Sequence, residues 1–185
     1  MILIPPFMAN IEHMKDYNAK SGDVLFFDTN VWMLIFSSQM AGSRQDAQEK
    51  YSTLLKDILS VGGSIFINSL ILSEYINASL RIEFDRWKRK DENIANSDYK
   101  KYFRQSKEYS NTLRVVCNEL QDILSITLKK NDDFNTFSLD QIYVGNSLDF
   151  NDAYYIWYCH NNNIIFVSDD HDISSTPIEV RVLTY

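Results

Sequence analysis

The sequence predicts a single α/β domain around a mainly parallel sheet. Three patterns predict it: short apolar runs with no polar alternation, runs of helical period between them, and turn residues at the joins. In chain order, residues 1–22 show no strong period, contain Pro5-Pro6 and Ser21-Gly22, and read as an N-terminal arm. Val24-Leu25-Phe26-Phe27 reads as a strand buried on both faces and ends at Asp28, with a helix from Asn30. Residues 46–61 carry Tyr51, Leu54, Leu55, Ile58 and Leu59 at spacings of three and four and stop at Gly62-Gly63, a helix with a glycine stop. A second strand over 64–68 leads into a long helical pattern running towards Lys90.

Residues 98–128 form another helical region, and the two together make an extended helical hairpin over 81–128. Residues 129–147 are polar and irregular. A helix over 150–161 places Ala153, Ile156, Trp157 and His160 on one face. Asn161-Asn162-Asn163 then turns into a third buried strand, Ile164-Ile165-Phe166-Val167, and 178–183 alternates like an edge strand. No repeat or linker interrupts residues 1–185, so one domain is expected.

Composition narrows the function. The chain has 185 residues, 45% of them hydrophobic, enough for one core. Its formal charge of −7 speaks against a broad cationic surface for nucleic acid. Cys117 and Cys159 lie in apolar runs and read as small buried thiols, which excludes a disulfide scaffold. His13, His160 and His171 are too scattered for a zinc site. Met1–Met8 lacks the basic flank and length of a signal peptide, and no stretch approaches the roughly 20 apolar residues of a membrane span. The expected location is the reducing cytoplasm.

The carboxylates carry the functional signal. Two apolar strands run directly into acid, at Asp28 and at Asp169-Asp170, and ligands of parallel sheets bind at the carboxyl ends of strands. The second strand is followed one helical turn later by Glu74, and Asp152 opens the helix before the third strand. Each acid alone is equally explained as a helix cap or a solvated turn. Together they form an oxygen-only cluster that needs protons or a cation, and such ligands favour Mg²⁺ or Mn²⁺ over zinc.

Phe27-Asp28-Thr29-Asn30-Val31, Ser73-Glu74-Tyr75, Leu148-Asp149-Phe150-Asn151-Asp152-Ala153 and Val167-Ser168-Asp169-Asp170-His171-Asp172-Ile173 resemble, in order and spacing, the motifs of PIN-domain nucleases. The resemblance spans roughly residues 23–182. It implies a three-layer α/β/α sandwich and a Mg²⁺- or Mn²⁺-dependent endoribonuclease, the activity of the toxin in many toxin–antitoxin pairs. By the same resemblance Asp28, Glu74, Asp152 and Asp170 match the acidic quartet that is both catalytic and metal-binding. Asn30, Ser168 and Asp172 match supporting positions. Asp152 is preferred to Asp149 because it directly precedes Ala153. Asp170 is preferred to Asp169 because it falls two residues after Ser168, but that choice stays open, as does the number of metals.

The hairpin, longer than is usual between these motifs, carries nine cationic against six acidic side chains over 81–108, a local +3 in an acidic chain. Arg86, Lys88, Arg89, Lys100, Lys101 and Arg104 are candidate substrate-binding residues, and the aromatics Phe84, Trp87, Tyr99, Tyr102 and Phe103 are candidates for base stacking. The bland reading of this segment is a solvated helical pair with its aromatic side packed. The expected partners are RNA, an antitoxin protein and a second copy of the chain, with no membrane.

Two rival functions are weighed. One is a catalytically weak PIN-fold module that binds RNA or protein. The other is a phosphatase of the haloacid-dehalogenase kind, which needs a second aspartate where Asn30 stands.

Overall fold

A computed structural model describes residues 9–90, 93–131, 134–143, 148–176 and 178–185. The strands are β1 (Asn10–His13), β2 (Val24–Phe27), β3 (Ser64–Ile67), β4 (Leu128–Lys129), β5 (Ile165–Val167) and β6 (Arg181–Thr184). They form one sheet in the order β1-β6-β5-β2-β3-β4, and every pairing is parallel. The helices are α1 (Thr29–Phe36), α2 (Gln45–Ser60), α3 (Ser69–Lys88), α4 (Asp98–Lys101), α5 (Lys107–Ile126), α6 (Leu139–Tyr143) and α7 (Phe150–Asn162).

Adjacent side chains of β2 reveal the layers. Phe26 packs on Tyr155 and Tyr158 of α7, at ring-centroid distances of 5.3 and 5.5 Å, whereas Phe27 packs on Trp32 of α1 at 5.1 Å. Successive strand residues point to opposite faces, so α1 and α7 cover opposite sides of the sheet. The α/β/α sandwich follows. All five of these aromatic residues are fully buried, which explains why β2 has no polar alternation. Helix α3 packs on both α1 and α5.

From β2 the chain steps outward to β3 and β4, then returns to place β5 on the other flank of β2. Strand order therefore reverses between β2 and β5. A crevice opens at such a switch point outside the carboxyl ends of the strands.

Several sequence expectations are revised. Residues 178–183 were expected at an edge, but β6 is internal because β1 covers it, with Asn10 N donating to Val180 O at 2.9 Å. The β1 segment Asn-Ile-Glu-His is mostly exposed and has no apolar period, so in sequence it resembles an arm; residues 1–8 lie outside the described residues. The stretch 129–147 is not all irregular, since it includes α6 and the end of β4, although 132–133 and 144–147 lie outside the described residues. Cys117 is exposed on α5, and only Cys159 is a buried thiol. His160 is exposed rather than packed, with its Nδ1 2.6 Å from Glu179 O.

Gly62 and Gly63 act as predicted, for two distinct reasons. Gly62 takes the left-handed φ of +78° beyond the end of α2. A Cβ on Gly63 would lie 2.9 Å from Ile58 Cγ2 and 3.2 Å from Asp23 O, so only glycine allows the α2–β3 turn to close this tightly.

Candidate active site

Asp28 follows β2 and caps α1. Its backbone N donates to Val167 O at 2.9 Å, extending the β2–β5 pairing by one bond. Its side chain receives Thr29 N on Oδ1 at 2.6 Å and Ser168 Oγ on Oδ2 at 2.8 Å. Burial pushes its carboxyl up to about 7 against the opposing pull of those two donors, and the charges of Glu74 and Asp170 add to the rise. Ser168 stands at the end of β5 and is fully buried. Its Oγ also accepts Asp170 N at 3.1 Å, so a single hydroxyl ties the acid after β2 to the loop after β5.

Glu74 sits in the second turn of α3 and is held by three donors: Thr29 Oγ1 at 2.9 Å, Asn151 Nδ2 and the Tyr155 hydroxyl. These come from α1 and α7, so one carboxylate joins three helices across both layers. Burial, and then the Glu74 carboxylate, holds the Tyr155 phenol in its protonated, donating form.

Asp149 caps α7 by accepting Asn151 N at 2.9 Å and Asp152 N at 3.1 Å. Asp152, in the first turn, is half-buried. Its carboxyl is pushed up to about 7, first by burial and then by Asp28, Asp149, Asp170 and Glu74. The charges of the other three candidate acids therefore all reach Asp152.

Asp169 and Asp170 diverge. Asp169 is ion-paired to Arg44 and accepts the Tyr51 hydroxyl at 3.1 Å. Arg44, just before α2, has a left-handed φ of 49°, a conformation that costs a non-glycine residue free energy. Asp170 accepts Asp172 N at 2.9 Å and contributes charge to both Asp28 and Asp152. Asp172 itself is exposed.

Whether this set suits a divalent cation can be judged from its donors. They are all oxygen, the neighbouring carboxylates add to the raised proton affinity of Asp28 and Asp152, and no Lys or Arg among the described residues is ion-paired to any of the four. Asn30, two residues after Asp28, has a buried Oδ1 with no hydrogen-bond partner. The donor chemistry fits a hard cation. The side chains are not drawn together around one, however: among the described residues no three His, Cys, Asp or Glu groups converge closely enough to hold a metal.

The sequence model of the PIN domain matches residues 25–179. The chain belongs to the PIN-domain family. No curated protein matches it. The family is a nuclease-type fold, which implies nucleic-acid binding and typically divalent-metal use. Among the described residues no helix of this PIN domain is long and apolar enough to cross a membrane.

Three residues missed by the sequence reading hold one of the candidate acids of this PIN domain. Thr29, Asn151 and Tyr155 are the donors to Glu74, and two of them lie inside the segments that carry the family resemblance. Tyr155 was discoverable only by helical spacing, four residues after Asn151 on α7.

The hairpin behaves differently from the base-stacking expectation. Phe103 is fully buried and Phe84 nearly so, packed with Trp87, Tyr99 and Tyr109 in a small aromatic core of their own. Phe84 and Phe103, buried in this cluster, have no free face for a base, whereas Tyr102 is exposed. Of the candidate cations, Arg86 is turned to Gln39 and Glu83. Lys88, Lys101 and Arg104 lie over Phe84, Tyr102 and Tyr99, while Arg89 and Lys100 are exposed. Lys88 is also about 21 Å along α3 from Glu74, at 1.5 Å per residue.

Proposed function

We propose that this PIN domain is a metal-dependent endoribonuclease that hydrolyses RNA phosphodiesters at Asp28, Glu74, Asp152 and Asp170. One observation carries the reading: Asp28 after β2 and Asp170 after β5 flank the switch point, their charges and that of Glu74 all act on Asp152, and no cationic side chain is paired to any of the four among the described residues.

Asp28, Asp152 and Asp170 would hold Mg²⁺ or Mn²⁺, with Glu74 beside them. When bound, the cation supplies charge for the phosphate and water of lowered pKa. The chain's own residues prepare the site. Ser168 and Thr29 N orient both oxygens of Asp28, and Thr29, Asn151 and Tyr155 fix Glu74. Burial keeps Asp28 and Asp152 readily protonated until a cation displaces those protons. Asn30, Ser168 and Asp172 act as supporting groups.

Cleavage of a mixed RNA pool by the wild-type protein, dependent on Mg²⁺ or Mn²⁺ and absent in Asp28→Asn, is the expected result. Equal activity in both proteins defeats the reading. The proposal extends to a cytoplasmic toxin role with an antitoxin protein and a homodimer as partners. A second reading, a catalytically weak PIN-fold module that binds RNA or protein, is favoured by the separation of the acids. It requires RNA binding without cation-dependent cleavage in the same assay.

A further inference from the structure

The row of strand ends at the carboxyl edge changes character along its length. β5 and β2 lead into Asp170 and Asp28, whereas β3 leads into Asn68 and β4 into Lys129-Lys130. A cavity of about 260 Å³ opens at that second pair of ends, and its wall includes Asn68, Ser69, Leu72, Lys129 and Lys130. No carboxylate lines it among the described residues; Asp132 and Asp133, next in the chain, lie outside them.

Asn68 is the unusual member. It is 5% exposed and caps α3 by accepting Ile71 N on Oδ1 at 3.1 Å. That leaves its Nδ2 buried without a partner. An orphaned buried donor is costly, and an acceptor arriving from the cavity would satisfy it. The cap also leaves other first-turn N–H groups of the twenty-residue α3 without carbonyl partners, at the positive end of its dipole. Lys130 is held beside them: its N donates to Ile67 O at 3.0 Å and its Nζ lies 5.5 Å over the Phe66 ring. Neither lysine is ion-paired among the described residues.

The cavity wall thus combines an amide side chain with an unpaired donor, a helix N-terminus and two lysines that no carboxylate pairs among the described residues, with apolar Leu72 and Leu124 beside them. That combination matches an oxyanion, and β4 stands two strands from β2, about 10 Å across the sheet. We propose that this cavity is a subsite for a backbone phosphate of RNA, adjacent to the carboxylate cluster; the inference rests on the nuclease reading. Positive charge for the substrate then comes from the strand ends.

The test measures binding of a short labelled oligoribonucleotide to the full-length chain in the cleavage-silenced Asp28→Asn background, over a series of salt concentrations. Lys129→Ala/Lys130→Ala is expected to weaken binding about tenfold and to flatten the salt slope by about 1 for each phosphate no longer neutralised. Asn68→Asp keeps an acceptor for Ile71 N but puts an anionic oxygen where the amide nitrogen stands. It should weaken binding as well, with an unchanged melting midpoint. In a ¹⁵N spectrum of the wild-type protein, the Asn68 side-chain amide should move with RNA. If both variants bind like the parent while the wild-type protein cleaves RNA, the subsite is overturned and the nuclease reading stands. If inorganic phosphate saturates the Asn68 shift and RNA neither binds nor is cleaved, a free-anion site replaces the RNA assignment. Loss of binding in the variants, with no cleavage by the wild-type protein, supports the subsite and removes the nuclease reading instead.

Discussion

Ser168 Oγ donates to Asp28 Oδ2 at 2.8 Å, joining residues 140 positions apart through a bond that is completely buried. The same oxygen accepts Asp170 N, so the hydroxyl sets the separation of two candidate acids that share no element. Ser168→Ala removes a donor that lowers Asp28 and leaves a buried carboxylate oxygen unpaired. Cleavage should fall by about 10–100-fold, the usual loss when a group orienting a metal ligand is removed. The rising limb of its pH profile should also move to higher pH, because Asp28 then keeps its proton longer. An unshifted profile with reduced activity would reduce Ser168 to a packing role.

Asp169 and Asp170 can be separated by paired variants. Asp169→Asn breaks the ion pair to Arg44 and weakens the acceptor for Tyr51 without touching the cluster around Asp28. It should lower unfolding free energy by about 1–2 kcal/mol, discounted because Arg44 is half-exposed, and leave most of the cleavage activity intact. Asp170→Asn should have the opposite profile, with stability preserved or raised and activity lost. Denaturant titration beside the RNA assay measures both; loss of activity in Asp169→Asn alone would reverse the assignment.

Protonation and cation binding compete at the same oxygens. Asp28 and Asp152 both rise from an ordinary 3.8 to about 7 in the folded chain. A carboxyl with a raised folded pKa binds protons in the native state that the unfolded state has released. Its contribution to stability is therefore fully present below about pH 4 and lost as pH rises through 7. Asp152→Asn removes the penalty, so in chelator its melting midpoint should exceed that of the wild type at pH 8, with the gap closing towards pH 4. Added Mg²⁺ or Mn²⁺ should raise the wild-type midpoint more at pH 8 than at pH 6, since the cation must displace protons at the lower pH. A gap independent of pH would show that Asp152 is not strained by its neighbours.

The residues that were legible in the sequence are those whose position is set by local pattern. Asp28 and Asp170 could be singled out because a two-sided apolar strand must end where its polar residue begins, and in a parallel sheet ligands bind outside that end. The layers were legible for the same reason, since Phe26 and Phe27 side by side require cover on both faces. What stayed hidden depends on pairing across long separations. The spacing from Ser168 favours Asp170 over Asp169 without settling the choice; what the sequence does not show is that Arg44 and Tyr51, from α2 and the turn before it, engage Asp169. β1 gave no signal because an outer strand with one partner needs few apolar residues. The hairpin aromatics looked available to bases because a 3.6-residue period marks an apolar face without showing whether another helix covers it. Asn68 and Lys130 became a pair only when β4 took its place beside β3.

Glu74 presents the sharpest choice between structure and catalysis, and Tyr155 exposes it. The Tyr155 hydroxyl, Asn151 Nδ2 and Thr29 Oγ1 together hold the carboxylate between α1, α3 and α7. Tyr155→Phe keeps the ring that packs on Phe26 at 5.3 Å and Phe166 at 6.3 Å and deletes only the donor. Glu74 retains two donors, so the cost in stability should be modest, about 1 kcal/mol. If Glu74 serves the cation, losing one of the donors that fix it should change cation affinity, read by calorimetric titration, and cleavage should change in step with it. If Glu74 is only a strut between helices, the variant should melt earlier while its cation affinity stays at the wild-type value. The two measurements together assign Glu74 to one role or the other, because a strut and a ligand respond to the same missing hydroxyl in different observables.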